Sequence, residues 1–334
     1  MEKRMLGNSG IAVSPIAIGC WSFGGGAYWG EQSQADVDAV VNMALDNQVN
    51  LFDCAEVYND GDSELSLGKA LKHRRDEAVI ITKQVITPDA DDTIARFEAS
   101  LKRLDTDFVD VMMIHWPTND RAIMERTLTR YQQLVDAGKV KAIGVSNFGV
   151  KQMTMMKELG FIACVNELHY NIASRAIEHE IIPLCQDHGM GVLTYVSLQQ
   201  GVLTGKYKSF ADIPPRQARY RHYDVCRSQG MHDHKGTGAE AELTELLSVL
   251  GAVAKEKNVS VMELVLSWAL RQTGITSAIV GCRNLQQLSE NLKGGNYVMD
   301  DATCALLTKA SQPIYEKLGT SADYLFPVDQ CRVI

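Results

Sequence analysis

Short apolar runs recur along this chain, and between them apolar residues return at three- and four-residue intervals. The runs are Ile16 to Gly19, Val49 to Phe52, Ala78 to Thr82, Phe108 to Ile114, Val140 to Val145, Ala163 to Asn166, Gly191 to Tyr195 and Ser277 to Val280, each of strand length. In the first interval Ser33 stands at an N-cap position, and Val37, Val40, Val41, Ala44 and Leu45 mark one apolar helix face. Ile94, Phe97, Leu101 and Leu104 repeat the pattern, as do Met124, Leu128, Tyr131, Leu134 and Val135 before a terminating Gly138. Strands alternating with helices predict βαβ units and a parallel sheet. Eight such strands close into an α/β fold of the (β/α)8 TIM-barrel type.

Other stretches depart from this rhythm. Met1 to Leu6 and Ile11 to Ser14 flank the turn Gly7-Asn8-Ser9-Gly10, predicting an N-terminal β-hairpin that caps the bottom of the barrel. Ser209 to Gly238, rich in Arg, His, Gly and Pro, predicts a long rim loop of the kind that serves as a lid. Residues from about 317 to 334 read as a C-terminal loop. No interdomain linker, low-complexity tract or repeat shorter than the βα unit stands out, so residues 1–334 are expected to form a single domain.

Composition narrows the class. Hydrophobic residues at 46% and charged ones at 22% match a soluble globular protein and argue against disorder over most of the chain. With 33 Lys and Arg against 41 Asp and Glu, the net charge of −8 argues against a general nucleic-acid binder but allows a local basic pocket. Met1 to Gly7 holds no apolar core of signal-peptide length, and no later run approaches the roughly 20 apolar residues of a membrane span. A cytoplasmic protein without membrane contact is expected. Cys20, Cys54, Cys164, Cys185, Cys226, Cys282, Cys304 and Cys331 are scattered singly with no CxxC pair and read as reduced thiols.

Four groups able to run a proton-coupled hydride transfer lie at or within five residues of a strand end: Asp53, Tyr58, Lys83 and His115. A parallel barrel builds its active site on that rim. Taken one at a time, a Tyr, Lys or Asp there is most simply a solvated loop residue, and His115 a satisfied polar residue.

Their contexts change the weighing. Asp53-Cys54-Ala55-Glu56-Val57-Tyr58, Ile81-Thr82-Lys83, His115-Trp116-Pro117 and Gly144-Val145-Ser146-Asn147-Phe148, in this order, resemble the aldo-keto reductase superfamily. The resemblance continues through Asn166-Glu167-Leu168-His169-Tyr170-Asn171, Tyr195-Val196-Ser197-Leu198, Gly201-Val202-Leu203-Thr204-Gly205-Lys206-Tyr207 and Gly281-Cys282-Arg283 to Glu290-Asn291. It implies reduction of an aldehyde, ketone or sugar by NADPH, or the reverse oxidation of an alcohol or polyol, without a metal. It maps the family's tetrad onto Asp53, Tyr58, Lys83 and His115. Hydride addition to a carbonyl leaves an alkoxide that needs a proton as it forms, and Tyr58 would supply it. A free tyrosine, with a pKa of about 10, is a sluggish acid near neutrality. Lys83 is therefore expected to pull that pKa down, Asp53 to hold Lys83 charged and in place, and His115 to orient the carbonyl through a ring N–H.

The same resemblance places the cofactor. Ser146, Asn147 and Glu167 would hold the nicotinamide carboxamide, and Tyr195 would stack on the ring, a core aromatic being the plainer account of Tyr195 alone. Ser197, Leu198, Gly201 and Lys206 would follow along the cofactor, with Arg216 over the pyrophosphate. Arg219, Arg221 and Arg227 either join Arg216 or are solvated loop charges. Asn284 with Gln287 three residues later predicts a helix N-terminus directly after Gly281-Cys282-Arg283, and such an end attracts phosphate. Arg283 would grip a 2′-phosphate with its two-pronged fork, favouring NADP over NAD, with Gln287, Glu290 and Asn291 near the adenosine.

Two positions break the family's pattern. Glu167 stands where the family usually has Gln. An ionised carboxylate cannot donate to the carboxamide oxygen, and at about 6 Å and an effective dielectric near 20 its charge would favour the oxidised ring by roughly 2 to 3 kcal/mol. A tilt toward oxidised-cofactor binding, and toward alcohol or sugar oxidation, is the expectation. Ser197 replaces a frequent Pro and is expected to soften the loop after Tyr195.

Trp21, Tyr28, Trp29 and Trp116 either line a pocket for a small-molecule carbonyl or polyol or serve as structural aromatics, and the segment Tyr324 to Val328 would shape the same pocket. Cys226, His232 and His234 match no standard zinc spacing, so no metal is expected. Two other functions compete: a barrel aldolase with a Schiff base on Lys83, and a cofactor-sensing subunit with little turnover, since some members of the superfamily are partners of channels. No sequence signal specifies the oligomeric state.

Overall fold

Two short strands, β1 (Arg4–Met5) and β2 (Ala12–Val13), pair antiparallel before the main sheet begins. Eight parallel strands then close into a barrel in the computed structural model, which describes residues 1–230 and 236–334. They are β3 (Ile16–Gly19), β4 (Leu51–Asp53), β5 (Val79–Gln84), β6 (Val109–Ile114), β7 (Val140–Ser146), β8 (Val165–His169), β9 (Gly191–Tyr195) and β10 (Ile275–Gly281), with β10 paired back onto β3. The (β/α)8 barrel predicted from the alternating pattern is the observed fold.

The helices are α1 (Gln34–Asp46), α2 (Asp62–Leu71), α3 (Thr93–Leu104), α4 (Arg121–Asp136), α5 (Val150–Glu158), α6 (Ile181–Asp187), α7 (Glu240–Lys257), α8 (Val261–Arg271), α9 (Leu285–Asn296) and α10 (Asp301–Leu318). Local chemistry sets their ends. The Ser33 side chain accepts from Asp36 N at 3.1 Å to open α1, whose Val37, Val40, Val41, Ala44 and Leu45 are all buried. Asp120 caps α4 through Ala122 N and Ile123 N, and Gly138, at φ 72°, turns the chain toward β7.

Side chains alternate across a strand, so one set fills the barrel and the other meets the helices. Ala17, Leu51, Val79, Ile81, Val111, Met113, Val165, Leu193 and Ile279 form one buried cluster with Leu6 and Val13 of the hairpin. The hairpin is therefore the floor of the barrel. Gly7 makes the fit possible: at φ 54° it lies so close to β8 and β9 that a Cβ would sit 2.2 Å from Cys164 O. Two residues further up the same inward face stand Asp53 above Leu51, Lys83 above Ile81 and Glu167 above Val165. The interior thus changes from apolar to charged at the end where the strands stop.

The rim loops are anchored. Ala218, Tyr220 and Tyr223 of the long loop are buried, and Arg221 donates to Leu318 O at 3.0 Å and Ser321 O at 2.8 Å. α10 runs through Leu318, so the C-terminal loop begins at Gly319, near the expected boundary of about 317. His232 and His234 lie outside the described residues. Among the described residues no helix is long and apolar enough to cross a membrane.

Leu6→Ala, which empties the barrel floor, should lower the unfolding free energy by about 3 kcal/mol in urea titration. Because Leu6 is at the end opposite the charged layer, the spectroscopic signature of the native state should persist until that earlier midpoint.

Candidate active site

Lys83 is wholly enclosed, and its three N–H groups meet more acceptors than they can serve. The ammonium donates to Asp53 Oδ1, to Cys54 O at 3.0 Å and to the Tyr58 hydroxyl oxygen at 3.3 Å. Glu167 Oε2 lies 3.3 Å away as a second ionic partner. Burial works against the charge, but Asp53, Glu167 and Tyr58 outweigh it and hold the Lys83 pKa well above its ordinary value. Asp53 itself is pushed up by burial, with Lys83 opposing.

Tyr58 follows β4 on a tight turn. Asn59 and Asp60 adopt left-handed backbone at φ 51° and 55°, and Gly61 at φ 94° opens α2. Asn59 Nδ2 ties this turn to Trp21 O and Phe23 O, each at 2.8 Å. The phenol is not depressed as expected. Burial raises its pKa, Asp53 and Glu167 raise it further, and Lys83 only partly offsets them. The tyrosine therefore rests protonated. Since Lys83 already donates to its oxygen, the phenolic proton is left for another acceptor.

His115 follows β6, edge-on to the Tyr58 ring at 5.6 Å between centroids. Burial and then Lys83 lower its pKa to about 3, so the ring is neutral, and its Nδ1 is buried without a hydrogen-bond partner. The four groups of the tetrad are brought together.

The carboxamide candidates share one wall. Asn147, at φ 63°, donates to Ser146 Oγ at 3.0 Å and His115 O at 3.1 Å, and accepts from the Tyr195 hydroxyl at 2.7 Å. Ser146 Oγ donates to Glu167 O at 3.0 Å. Glu167 Oε2 is the buried oxygen of this set without a hydrogen bond. Burial, reinforced by Asp53 and partly offset by Lys83, raises the Glu167 pKa to about 8. The shift runs toward the protonated form, which can donate, and so against the fixed negative charge expected there. Against the expected softening of its loop, the Ser197 hydroxyl has its single proton within reach of Ile279 O at 2.9 Å and Thr194 O at 3.1 Å, lacing β9 to β10.

Beyond Tyr195 the predicted positions spread along the rim. Leu198 packs on a buried cluster with Ile16 and Leu266. Lys206 is exposed and folds over Gly201, where a Cβ would meet its Nζ at 2.5 Å. Asn284 accepts from Gln287 N at 2.9 Å and so caps α9 as predicted. Gln287 Oε1 accepts from Arg283 N at 2.8 Å, Asn291 donates to Gly281 O at 3.4 Å, and Glu290 accepts from Gln286 at 3.3 Å. A Cβ on Gly281 would meet nothing within 4 Å, so this stretch is open. The Arg283 guanidinium is held by Glu31 O and, at 2.8 Å, by Gln32 Oε1.

Of the four loop arginines, Arg221 is buried against the C-terminal segment, and Arg227 pairs with Glu240. Arg216 donates to Ala27 O at 2.7 Å, and Arg219 lies over the Tyr28 ring at 5.8 Å. Trp21 stacks between Tyr58 and Tyr28, at 5.8 and 4.7 Å, with Trp29 edge-on. Trp116 stands apart beneath the Arg332 guanidinium, 3.7 Å from its ring centre. Tyr324 is buried between His169 and His222, each 4.8 Å away, while Phe326 reaches Arg332.

Sequence reasoning missed the Glu167–Lys83 approach, the Gln32 brace on Arg283 and a buried network in which Ser174 Oγ bridges His169 at 3.2 Å and His222 at 3.0 Å. The inward alternation of residues 53, 83 and 167 was the available signal for the first. A hollow of about 610 Å3 at the other end of the barrel offers no comparable chemistry. Its buried carboxylate, Asp110, is already paired with Arg75 at 3.0 Å and Lys141 at 2.7 Å.

Known proteins with similar sequences agree with this picture. The chain is 30% identical over 303 residues to aldo-keto reductase YhdN of Bacillus subtilis, covering 86% of this chain and 87% of that protein. It is 30% identical to a probable voltage-gated potassium channel subunit beta of Arabidopsis thaliana, covering 95% and 98%. To the NADH-specific methylglyoxal reductase of Escherichia coli it is 28% identical, covering 94% and 99%. An aldo/keto reductase from Klebsiella pneumoniae, crystallised with NADP and acetate, shares the fold at a TM-score of 0.70 and 23% identity, covering 100% and 99%. The profile of the Aldo/keto reductase family matches residues 15–312, and with the closed barrel that carries this site, the chain belongs to that family of oxidoreductases.

Proposed function

We propose that residues 1–334 act as one NADP(H)-dependent unit that interconverts a small-molecule carbonyl and its alcohol, with Tyr58 as the proton-transfer group. The Lys83 hydrogen bond to the Tyr58 oxygen carries this reading. It occupies the phenol oxygen from the buried side and leaves the O–H for a substrate oxygen in the mouth.

A bound nicotinamide supplies or accepts the hydride. Tyr58 gives its proton to the oxygen as negative charge develops there, and the fixed Lys83 ammonium stabilises the tyrosinate that remains. Asp53 keeps Lys83 charged and aimed. Neutral His115 offers a ring N–H to the substrate oxygen. The aromatic wall of Trp21, Tyr28 and Trp29, with Trp116, suits an aldehyde, ketone or sugar that stacks through an apolar face.

The residues present fit the cofactor. Ser146, Asn147 and Glu167 would hold the carboxamide, and Tyr195 would flank the ring. Ser197, with its hydroxyl already engaged, would contribute backbone with Leu198 and Gly201. Lys206, Arg216 and Arg219 would face the pyrophosphate. Gly281, Arg283 and the capped start of α9 leave an open, positive end for a phosphate, with Gln287, Glu290 and Asn291 beside it. The NADP-bound Klebsiella structure supports the phosphorylated cofactor, whereas the E. coli relative is NADH-specific. Arg283 decides our choice, because its guanidinium matches a 2′-phosphate.

The channel-subunit relative favours a second reading, cofactor sensing with little turnover. A Schiff base on Lys83 is disfavoured by the ion pairs that keep the amine protonated and so non-nucleophilic.

With NADPH and a panel of aldehydes, ketones and sugars, and with NADP+ and polyols, absorbance at 340 nm should report turnover. Tyr58→Phe should lower kcat by roughly 10² to 10⁴ while cofactor binding stays intact. Full activity in that variant would overturn the proton-transfer role, and cofactor binding without turnover in the parent protein would favour sensing. Arg283→Ala should weaken NADPH about tenfold and NADH little, as measured by fluorescence titration.

A further inference from the structure

β4 and β8 are four strands apart in an eight-stranded barrel, so Asp53 and Glu167 approach Lys83 from opposite walls. One ammonium between two carboxylates leaves the enclosed mouth with one negative charge in excess if both ionise. Glu167 is only 3% exposed; its Oε2 faces the Lys83 ammonium at 3.3 Å, and its carboxyl is within hydrogen-bond reach of Asp53. The groups that act on it are Asp53 on β4 and Lys83 on β5, and its charge is felt in turn by Tyr58 on the turn after β4 and by Tyr195 on β9. Of these, Lys83 is the one cation, and Asp53 already claims it.

The proton from Tyr58 and the hydride must reach one carbonyl group, with reacting atoms about 3 to 3.5 Å apart. Tyr58 OH is 3.3 Å from Lys83 Nζ, which is 3.3 Å from Glu167 Oε2. The ring that exchanges hydride therefore shares this mouth with Glu167, positively charged when oxidised and neutral when reduced.

We propose that Glu167 selects the redox state of the cofactor by exchanging a proton, ionising when the oxidised ring binds and staying protonated beneath the reduced ring. Oxidised-cofactor binding then releases one proton from the Glu167 carboxyl to solvent, and the carboxylate left behind balances the ring's charge. The inference rests on the assignment of this site to a nicotinamide cofactor. Without cofactor the Glu167 pKa stands near 8. Below that pH a proton is present to be released, and above it the carboxylate is already formed. Because the neutral reduced ring adds no charge to shift the carboxyl from this value, rising pH should favour the oxidised over the reduced cofactor up to about pH 8 and level off beyond.

The measurement is the ratio of Kd values for NADPH and NADP+ on the intact chain from pH 6 to 9, by fluorescence titration. Titration of the phosphates is common to both forms and cancels in the ratio. The ratio should move by on the order of tenfold toward NADP+ between pH 6 and 8 and then level off, and in Glu167→Gln it should be flat. In weakly buffered solution near pH 7, an indicator dye should show proton release from the parent protein on adding NADP+ but not NADPH. A flat ratio in the parent protein, an equal slope in Glu167→Gln, or NADP+ binding without proton release would each overturn the proposal. Failure of both cofactors to bind at any pH would instead overturn the cofactor assignment, and this inference with it. The dye experiment needs no variant. Melting curves test the fold of Glu167→Gln: the native carboxyl titrates above its unfolded value, so it costs stability as pH rises from about 4.5 toward 8, and the Gln protein should melt no lower than the parent at pH 9.

Discussion

The buried ammonium of Lys83 is the constraint around which the upper barrel is arranged. A lone charge at that depth would cost several kcal/mol, and removing either partner of a buried pair leaves the other uncompensated. Asp53 from the next strand, the carbonyl of Cys54 and the phenol oxygen of Tyr58 together satisfy it. That satisfaction requires β4 and β5 in their observed register, Leu51 opposite Val79 and Asp53 opposite Ile81, with Lys83 two residues beyond. The apolar layers below, closed by Leu6 and Val13, supply the burial that makes register decisive.

Strain gathers where these strands end. Asn59 and Asp60 after β4, Asn147 after β7, and Val196, Gln199 and Gln200 after β9 all have positive φ. Such backbone costs of order 1 to 3 kcal/mol per residue and persists where surrounding bonds over-determine it. Here those bonds are visible: Asn59 to Trp21 and Phe23, Asn147 to His115 and Tyr195, and Ser197 to Ile279. Each joins separate strand ends. The rim therefore behaves as one braced ring, and side chains on different βα loops keep fixed positions relative to Lys83.

Much of this was legible in the chain because periods of two and of three to four residues report directly on burial. All eight strands, the Ser33 and Asn284 caps and the rim placement of Asp53, Tyr58, Lys83 and His115 follow from local pattern. What was not legible depends on closure or on distant partners. Glu167 is 84 residues from Lys83 in sequence, and only a closed barrel puts them on facing walls. Arg221 reads as a loop charge until the carbonyls after α10 are known to surround it. Ser197 looked like a loosened proline site because its hydroxyl's partners, on β9 and the distant β10, have no local signature. The sign of the Tyr58 shift was missed for the same reason: one neighbour was counted, whereas burial and two carboxylates act together.

That upward shift favours the acid role. At rest the phenol keeps its proton, so the group that would donate in the proposed reaction is in the right form at neutral pH. Losing the proton in isolation is unfavourable because burial penalises tyrosinate. Were the proton to move to a developing alkoxide, as proposed, the charge left on the phenol oxygen would lie 3.3 Å from an ammonium that is already oriented and needs no reorganisation. Lys83 would thus stabilise the charge-shifted state more than the resting one, which is the differential interaction that lowers a barrier. A protonated Glu167 would strengthen the effect. With that carboxyl neutral, Asp53 is the one full negative charge balancing Lys83, and more of the ammonium's field is available to the phenolate.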